Sequence, residues 1–138
     1  QLQQQFRARA FRLSPSSQKA IAKLFSTRRF DLHLQALRAL LMEHMTRLHS
    51  LLNEHSAGQF HVIPPQGGAC FWLEATRPID MRHVFERLLA QHIVIAPGEL
   101  FSQQGAWKHH LRLSFTLDWS KDIARAVQQL AQAIRHSP

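Results

Sequence analysis

The sequence predicts an α+β domain in which helices, one of them long, cover a small, mixed and mostly antiparallel sheet. Three observations support this prediction. Apolar residues recur at spacings of three and four up to residue 52, which is typical of an amphipathic helix. After Gly58 the period falls to two, as in half-buried strands, and beyond residue 120 the helical spacing returns. The predicted order of elements is α-α-β-β-α-β-β-α.

The first half of the chain is predicted to be helical. Residues 1–13 are rich in Gln and Arg, and we expect a linker or a helix that belongs to another domain. Ser14-Pro15 is a helix-start signal. The short helix that follows, over about 16–26, is expected to bury Ile21, Leu24 and Phe25.

A second, much longer helix is predicted over about 29–55. It ends at Ser56-Ala57-Gly58, where the glycine suits a C-terminal cap. We interpret its apolar stripe as ordinary core. The stripe consists of Phe30, Leu34, Leu37, Leu41, Met45, Leu48 and Leu52.

Four short strands are expected in the second half of the chain. FHVIP (60–64) is ended by Pro64-Pro65, and ACFWLEA (69–75) follows a turn at Gly67-Gly68. IVIA (93–96) is interpreted as a buried strand closed by Pro97-Gly98. The last strand, over 110–116, alternates Leu111, Leu113 and Phe115 with Arg112 and Ser114.

Two further helices complete the predicted domain. Asp80 is expected to cap a helix over about 81–91 that buries Val84, Phe85 and Leu88. Ser120 is expected to start a last helix that extends to about 135. Its buried stripe is predicted to contain Ile123, Val127, Leu130, Ala131 and Ile134.

Length and composition favour one soluble globular domain. The chain has 138 residues, 45% of them apolar and 19% charged. No apolar run approaches the ~20 residues that a membrane helix needs, and we expect no membrane partner. The single Cys70 excludes an internal disulfide and suits a reducing cytoplasm. Because the chain begins at Gln1, we expect it to be a fragment of a longer protein.

The net charge of +8 is concentrated in the first third of the chain. Residues 1–47 hold nine Lys and Arg against two acidic residues, whereas residues 48–138 hold eight against seven. A basic region of this kind suggests either a nucleic-acid-binding module or a surface that faces an acidic part of a longer chain. The basic residues are dispersed and lack interleaved aromatic residues, which does not favour nucleic acid.

The sequence contains no self-contained catalytic or metal site. The ten histidines lack metal-ligand spacing: His44 and His49 lie on different helix faces, and the adjacent His109 and His110 point to opposite sides of a strand. Cys70 on an apolar strand is interpreted as a small buried thiol. No GxSxG, GxGxxG or P-loop motif is present. We therefore assign no catalytic residue and no metal ligand.

A few features remain unusual for a plain core: Gly67, Gly68, Pro97, Gly98, Phe101 and Arg112. For the glycines and prolines, turn chemistry is the simpler interpretation and a place in a site is the alternative. Arg112 is either a guanidinium that extends to solvent from an edge strand or a planar donor that binds a carboxylate. The pattern of residues leaves both alternatives open.

In order along the chain, PPQGGACFWLEA, a helix, VIAPGELF, LRLSF and a closing amphipathic helix resemble a known family. This succession is similar to the C-terminal small domain of fold-type I aminotransferases. It is most similar to the aminotransferase-like half of MocR-type regulators in the GntR superfamily. The segment PSSQKAIAKLFSTRRFDLHLQALR resembles the stretch that leaves the large domain and starts the connecting helix.

The resemblance implies two regions, a segment 1–28 that leaves an absent large domain and an aminotransferase-like small domain over 29–138. It implies that the full-length protein is a cytoplasmic, dimeric transcriptional regulator that binds pyridoxal phosphate and binds DNA through an absent N-terminal winged helix domain. In such proteins the arginine at the position of Arg112 binds the carboxylate of an amino acid or related ligand. Residues Gly67, Gly68, Pro97, Gly98 and Phe101 are expected to line that site.

The same resemblance places the lysine that attaches the cofactor in the absent large domain. The fragment itself is therefore expected to be inactive and to hold no cofactor. A genuine fold-type I aminotransferase is the alternative to the regulator, and a basic nucleic-acid-binding module is the second alternative.

Overall fold

A computed structural model of the chain describes residues 14–137. The helices are α1 (Pro15–Phe25), α2 (Arg28–His55), α3 (Met81–Leu89) and α4 (Ile123–Arg135). The strands are β1 (Phe60–His61), β2 (Cys70–Ala75), β3 (Ala96–Pro97) and β4 (His110–Ser114). This order confirms the predicted α+β class and the predicted succession of elements. The interpretation of residues 1–13 lies outside the described residues.

The chain divides into two compact units, and the division falls after Ala39, within α2. The first unit contains α1 and the first part of α2. The predicted division into 1–28 and 29–138 concerns an absent neighbouring domain and stays a prediction.

In the first unit, α1 buries none of its residues. Ile21, Leu24 and Phe25 are about half exposed, so the prediction that they are buried was wrong. Helical spacing identifies an apolar face but does not say whether anything packs on it. Within this unit the ring of Phe25 contacts Phe30, with centroids 4.8 Å apart.

The second unit is built on a four-stranded antiparallel sheet in the order β1-β2-β4-β3. Strands β2 and β4 form its centre, where Cys70 pairs with Ser114 and Trp72 pairs with Arg112. Because side chains alternate along a strand, this register places two whole rows of residues on opposite faces.

One face of the sheet packs against the helices and forms part of the hydrophobic core. Phe71, Leu73 and Leu111 are completely buried on it, and Phe115 is nearly so. The helices contribute their apolar stripes to the same cluster. These helical residues are Leu48 and Leu52 of α2, Met81, Val84 and Leu88 of α3, and Val127, Leu130, Ala133 and Ile134 of α4.

The long stripe of α2 is core at its C-terminal end alone. Leu48 and Leu52 are buried, Leu41 and Met45 are partly buried, and Leu37 is exposed. The core interpretation of the stripe is therefore confirmed for its last two positions. The helix ends as predicted at Ser56-Ala57-Gly58, but Ala57 as well as Gly58 adopts a positive φ (49° and 75°).

Several predicted boundaries differ from the structure. The strand predicted over 93–96 is instead Ala96–Pro97, and Val94 is 72% exposed. Strand β1 contains two residues and ends well before Pro64. The caps were predicted correctly for α3, where Asp80 accepts a hydrogen bond from the Arg82 backbone N–H at 2.9 Å. Helix α4 begins later than predicted, because Asp122 rather than Ser120 is its cap.

Ser120 has a different role in the loop before α4. Hydrogen bonds from its side chain and its backbone lower the pKa of Asp118. Ser120 and Asp122 are both residue types that cap helices, so the sequence does not distinguish them. The structure shows that the helix begins after Asp122. Within residues 14–137, no helix combines the length and the apolar run that crossing a bilayer requires.

Candidate functional site

Arg112 lies in the middle of the sheet, on the face opposite the core. Its neighbours across the two adjacent strands are Trp72 on β2 and Ala96 on β3. Leu111, next to it in sequence, is fully buried, while Arg112 itself is exposed. The alternation of buried and exposed residues predicted for the strand over 110–116 is therefore confirmed at Leu111 and Arg112. β4 is a central strand, and thus Arg112 does not extend from a sheet edge.

The guanidinium of Arg112 rests on an aromatic ring. Its Cζ lies 4.7 Å from the ring centroid of Phe101, a cation–π distance. No ion pair joins Arg112 to a carboxylate in the described part of the chain. The ring limits the orientations of the guanidinium without using its N–H donors, which leaves a planar fork free for an anion.

Four aromatic side chains form a connected group that includes the ring under Arg112, and we call Trp72, Phe101, Trp107 and His110 the aromatic cluster. Trp72 is its centre. Its ring meets Phe101 edge-on at 5.7 Å and Trp107 edge-on at 6.1 Å, and it stacks on His110 at 5.5 Å. Trp107 and His110 complete the cluster with an edge-on contact at 5.0 Å.

His110 is the polar member of the aromatic cluster. It is the register partner of Glu74, and its Nε2 lies 3.9 Å from the Glu74 carboxylate. Its Nδ1 is buried and has no hydrogen-bond partner within residues 14–137. Buried polar atoms are usually paired, so this nitrogen is an exception among the described residues.

A tethered loop presents Trp107 to the cluster. The Ser102 hydroxyl accepts hydrogen bonds from the backbone N–H groups of Gln104 and Ala106, at 3.2 and 3.1 Å. The Trp107 carbonyl accepts from the His110 N–H at 3.0 Å, and the Lys108 carbonyl accepts from the Met81 N–H at 3.0 Å. These bonds fix the loop between β3 and β4 at several points.

The turn Gly98–Phe101 holds the ring on which Arg112 rests. Glu99 in this turn forms an ion pair with Arg82 of α3, and the Arg82 Nε donates to its carboxylate at 2.6 Å. Gly98 is buried, and a Cβ there would lie 2.5 Å from the Trp107 carbonyl and 2.8 Å from the His110 Cβ. The turn therefore packs directly against the backbone that carries Trp107 and His110.

We expect Gly98→Ala to destabilise the fold by about 1–3 kcal/mol, because the new methyl meets backbone that cannot move away. Gly67→Ala is the matched control. A Cβ at Gly67 has open space and its φ is not positive, so we expect no loss and a gain of up to about 1 kcal/mol. Urea unfolding midpoints of the two variants test the difference. Equal midpoints would contradict the close approach at Gly98.

The structure brings together only some of the residues that were predicted to line the Arg112 site. Phe101 contacts Arg112, Pro97 pairs with Leu111 beside it, and Gly98 supports the turn. Gly67 and Gly68 lie in the loop before β2, beyond Cys70, whose partner is Ser114. They are therefore at the far end of the strand pair from His110, and Gly68 has the positive φ of a turn residue (84°).

Trp72, Trp107 and His110 were not predicted as site residues. The alternation in ACFWLEA does place Trp72 on the opposite face from Phe71 and Leu73, so an outward tryptophan was a visible signal. No comparable signal marks Trp107, because it lies in a loop whose path depends on contacts distant in sequence.

The lysines of this chain do not fit a covalent pyridoxal phosphate site. A lysine that attaches the cofactor must be neutral, which burial favours. All four lysines of the chain are exposed: Lys19, Lys23, Lys108 and Lys121. The described residues also contain no group of three or more His, Cys, Asp or Glu side chains that could hold a metal ion.

Comparison with known proteins places this geometry in context. No protein-family model matches the chain. The chain is 34% identical over 125 residues to the uncharacterized HTH-type transcriptional regulator YdcR of Escherichia coli. The matched region is 89% of this chain and 27% of that protein. A second uncharacterized HTH-type regulator of E. coli, YjiR, is 25% identical and covers 87% of this chain and 26% of that protein. The chain thus spans about a quarter of the curated relatives that it matches.

Solved structures give the fold. The alpha-aminoadipate aminotransferase LysN of Thermus thermophilus superposes with a TM-score of 0.70 and 26% identity, covering 78% of this chain and 28% of that one. It was crystallised with N-(5'-phosphopyridoxyl)-L-leucine. The fold of this chain is therefore that of an aminotransferase region.

Proposed function

Because this chain is homologous to HTH-type transcriptional regulators and has an aminotransferase-like fold, we propose that it is the C-terminal small domain of a regulator that binds pyridoxal phosphate. The full-length protein is a cytoplasmic homodimer that binds DNA through a separate N-terminal domain. In it, the outer sheet face around Arg112 binds the carboxylate of an amino acid or a related ligand.

The observation that supports the ligand role is the unpaired guanidinium of Arg112. It is held over Phe101 on a central strand, and no carboxylate within residues 14–137 pairs with it. A cation fixed on a stiff element favours bidentate carboxylate binding. Its exposure in this chain suits a site whose opposite wall is supplied by the large domain.

The cofactor belongs to the large domain in this proposal. LysN was crystallised with a phosphopyridoxyl-leucine compound, in which cofactor and amino acid are joined. By analogy, pyridoxal phosphate would supply the chemistry of amino-group binding in the full-length protein. The exposed lysines of this chain would take no part in it.

The regulator proposal is tested with the full-length protein and with a variant that lacks everything ahead of the aminotransferase-like part. Fluorescence anisotropy measures binding to the DNA upstream of its own gene, and alkaline release measures bound pyridoxal phosphate. We expect the truncated variant to lose DNA binding and keep the cofactor. DNA binding by residues 1–138 alone, falling steeply with salt, would instead support the basic nucleic-acid-binding module.

A genuine aminotransferase is the second candidate function. It is favoured by the 30% identity over 71 residues with aromatic-amino-acid aminotransferase 1 of Thermococcus litoralis. Fold likeness alone does not separate the two candidates. A gene product that starts at the large domain and converts amino acids to 2-oxo acids would support the enzyme.

A further inference from the structure

Three large rings of the aromatic cluster are in contact with solvent. Trp72, Phe101 and Trp107 are 41%, 47% and 51% exposed, although they contact one another. Exposed single apolar residues are ordinary, but a contiguous aromatic group beside an unpaired cation indicates a binding surface. Phe101 holds the guanidinium, whereas the ring contacts of Trp107 and His110 are with Trp72 and with each other.

Trp107 adopts a backbone conformation that is unfavourable for its residue type. Its φ is +67°, a left-handed value that glycine adopts freely and bulky residues rarely adopt. The hydrogen bonds of its loop maintain this conformation, and the indole meets both Trp72 and His110. Strain kept in place by surrounding structure is a frequent sign of a ligand-binding residue.

We propose that Trp107, His110 and Trp72 form a wall that selects a planar, π-bearing group on the ligand whose carboxylate Arg112 binds. This inference rests on the proposed function, and it adds the class of ligand. The Trp72–Arg112 register pair puts the two backbones one strand spacing apart, and the Trp72 ring also meets Phe101, over which the guanidinium lies. The wall and the guanidinium are therefore near one another, which favours a ligand whose carboxylate and ring are joined by a short linker.

The chemistry of the wall favours a π system over a bulky aliphatic group. Indole and imidazole rings attract aromatic edges and faces in offset or edge-on arrangements, as they already do within the cluster.

The test uses the full-length protein and three carboxylates: propionate, 3-phenylpropionate and 3-cyclohexylpropionate. The last two have similar volumes, and only 3-phenylpropionate has a π face. Ligand-detected NMR titration gives the dissociation constants. Trp107→Gly is the main variant because glycine suits the left-handed backbone, so the indole is removed without new strain.

We expect Trp107→Gly to weaken 3-phenylpropionate binding about 3- to 10-fold and to leave propionate within 2-fold. The preference for the phenyl over the cyclohexyl compound should disappear. Trp119→Phe, outside the cluster, is the control and should change none of the three constants. Trp107→Phe should retain most of the preference.

Two results would overturn the inference and are distinct from failure of the proposed function. An unchanged phenyl preference in Trp107→Gly, with or without a lower melting temperature, would show that the indole only packs against protein. Equal weakening of all three carboxylates would show a general effect on the site. If instead Arg112→Ala leaves propionate binding intact, the proposed carboxylate site itself is wrong.

Discussion

Phe71→Ala is expected to lower the free energy of unfolding by about 3–5 kcal/mol, because it empties the centre of the core. Phe71 is completely buried on β2. Its ring meets Phe115 edge-on at 5.7 Å and stacks on His49 at 6.2 Å, so one side chain joins β2 to α2 and to the residue that follows β4. A loss of this size is a large part of the stability of a domain.

The neighbouring Trp72→Ala is the control for this prediction. Trp72 is on the same strand but faces outward and is partly exposed. Its loss removes edge-on and stacked contacts within the aromatic cluster, for which we expect a cost of about 1 kcal/mol. Urea unfolding followed by circular dichroism compares the two variants. Equal losses would contradict the assignment of the Phe71 face as the core.

Arg112→Ala is expected to have the largest effect on ligand binding. In the proposed full-length protein the carboxylate pair is shielded from water, and truncating one partner of such a pair costs about 2–5 kcal/mol. This corresponds to a roughly 30- to 4,000-fold weaker affinity for 3-phenylpropionate. The amount of bound pyridoxal phosphate should not change, since the cofactor is attached elsewhere.

Two comparisons make the Arg112 prediction specific. Arg112→Lys keeps the charge but loses the planar fork, so its affinity should fall between those of the wild type and Arg112→Ala. In residues 1–138 alone, Arg112 is exposed, and an exposed ion pair contributes only about 0–1 kcal/mol. Strong carboxylate binding by the isolated chain, or an unchanged affinity in Arg112→Ala, would contradict the assigned role.

Local patterns in the sequence predicted the type and order of the elements and the buried face of β4. The alternation of Leu111, Arg112 and Leu113 was enough to place the arginine outside the core. The cap at Asp80 was also predicted, because its hydrogen bond to the Arg82 N–H joins residues two apart. Both signals involve residues that are close in sequence, so they do not depend on how the rest of the chain packs.

The predictions that failed depended on partners distant in sequence. The apolar face of α1 has the spacing of a buried helix, yet Ile21, Leu24 and Phe25 remain exposed. The apolar run at 93–96 has the composition of a buried strand, yet pairing with β4 begins only at Ala96. In each case the composition indicated a preference for burial, and the packing of other elements determined whether the residues were buried.

The sequence by itself determined the α+β class, the order of elements and the outward direction of Arg112, because these follow from periodicity and from local hydrogen bonding. Only the tertiary structure decided what surrounds the guanidinium. The pairing of β2 with β4 brings Trp72 beside Arg112 across forty residues, and a tethered loop adds Trp107. Strand register and loop path are set by the free energy of the whole packed domain, which no local pattern contains.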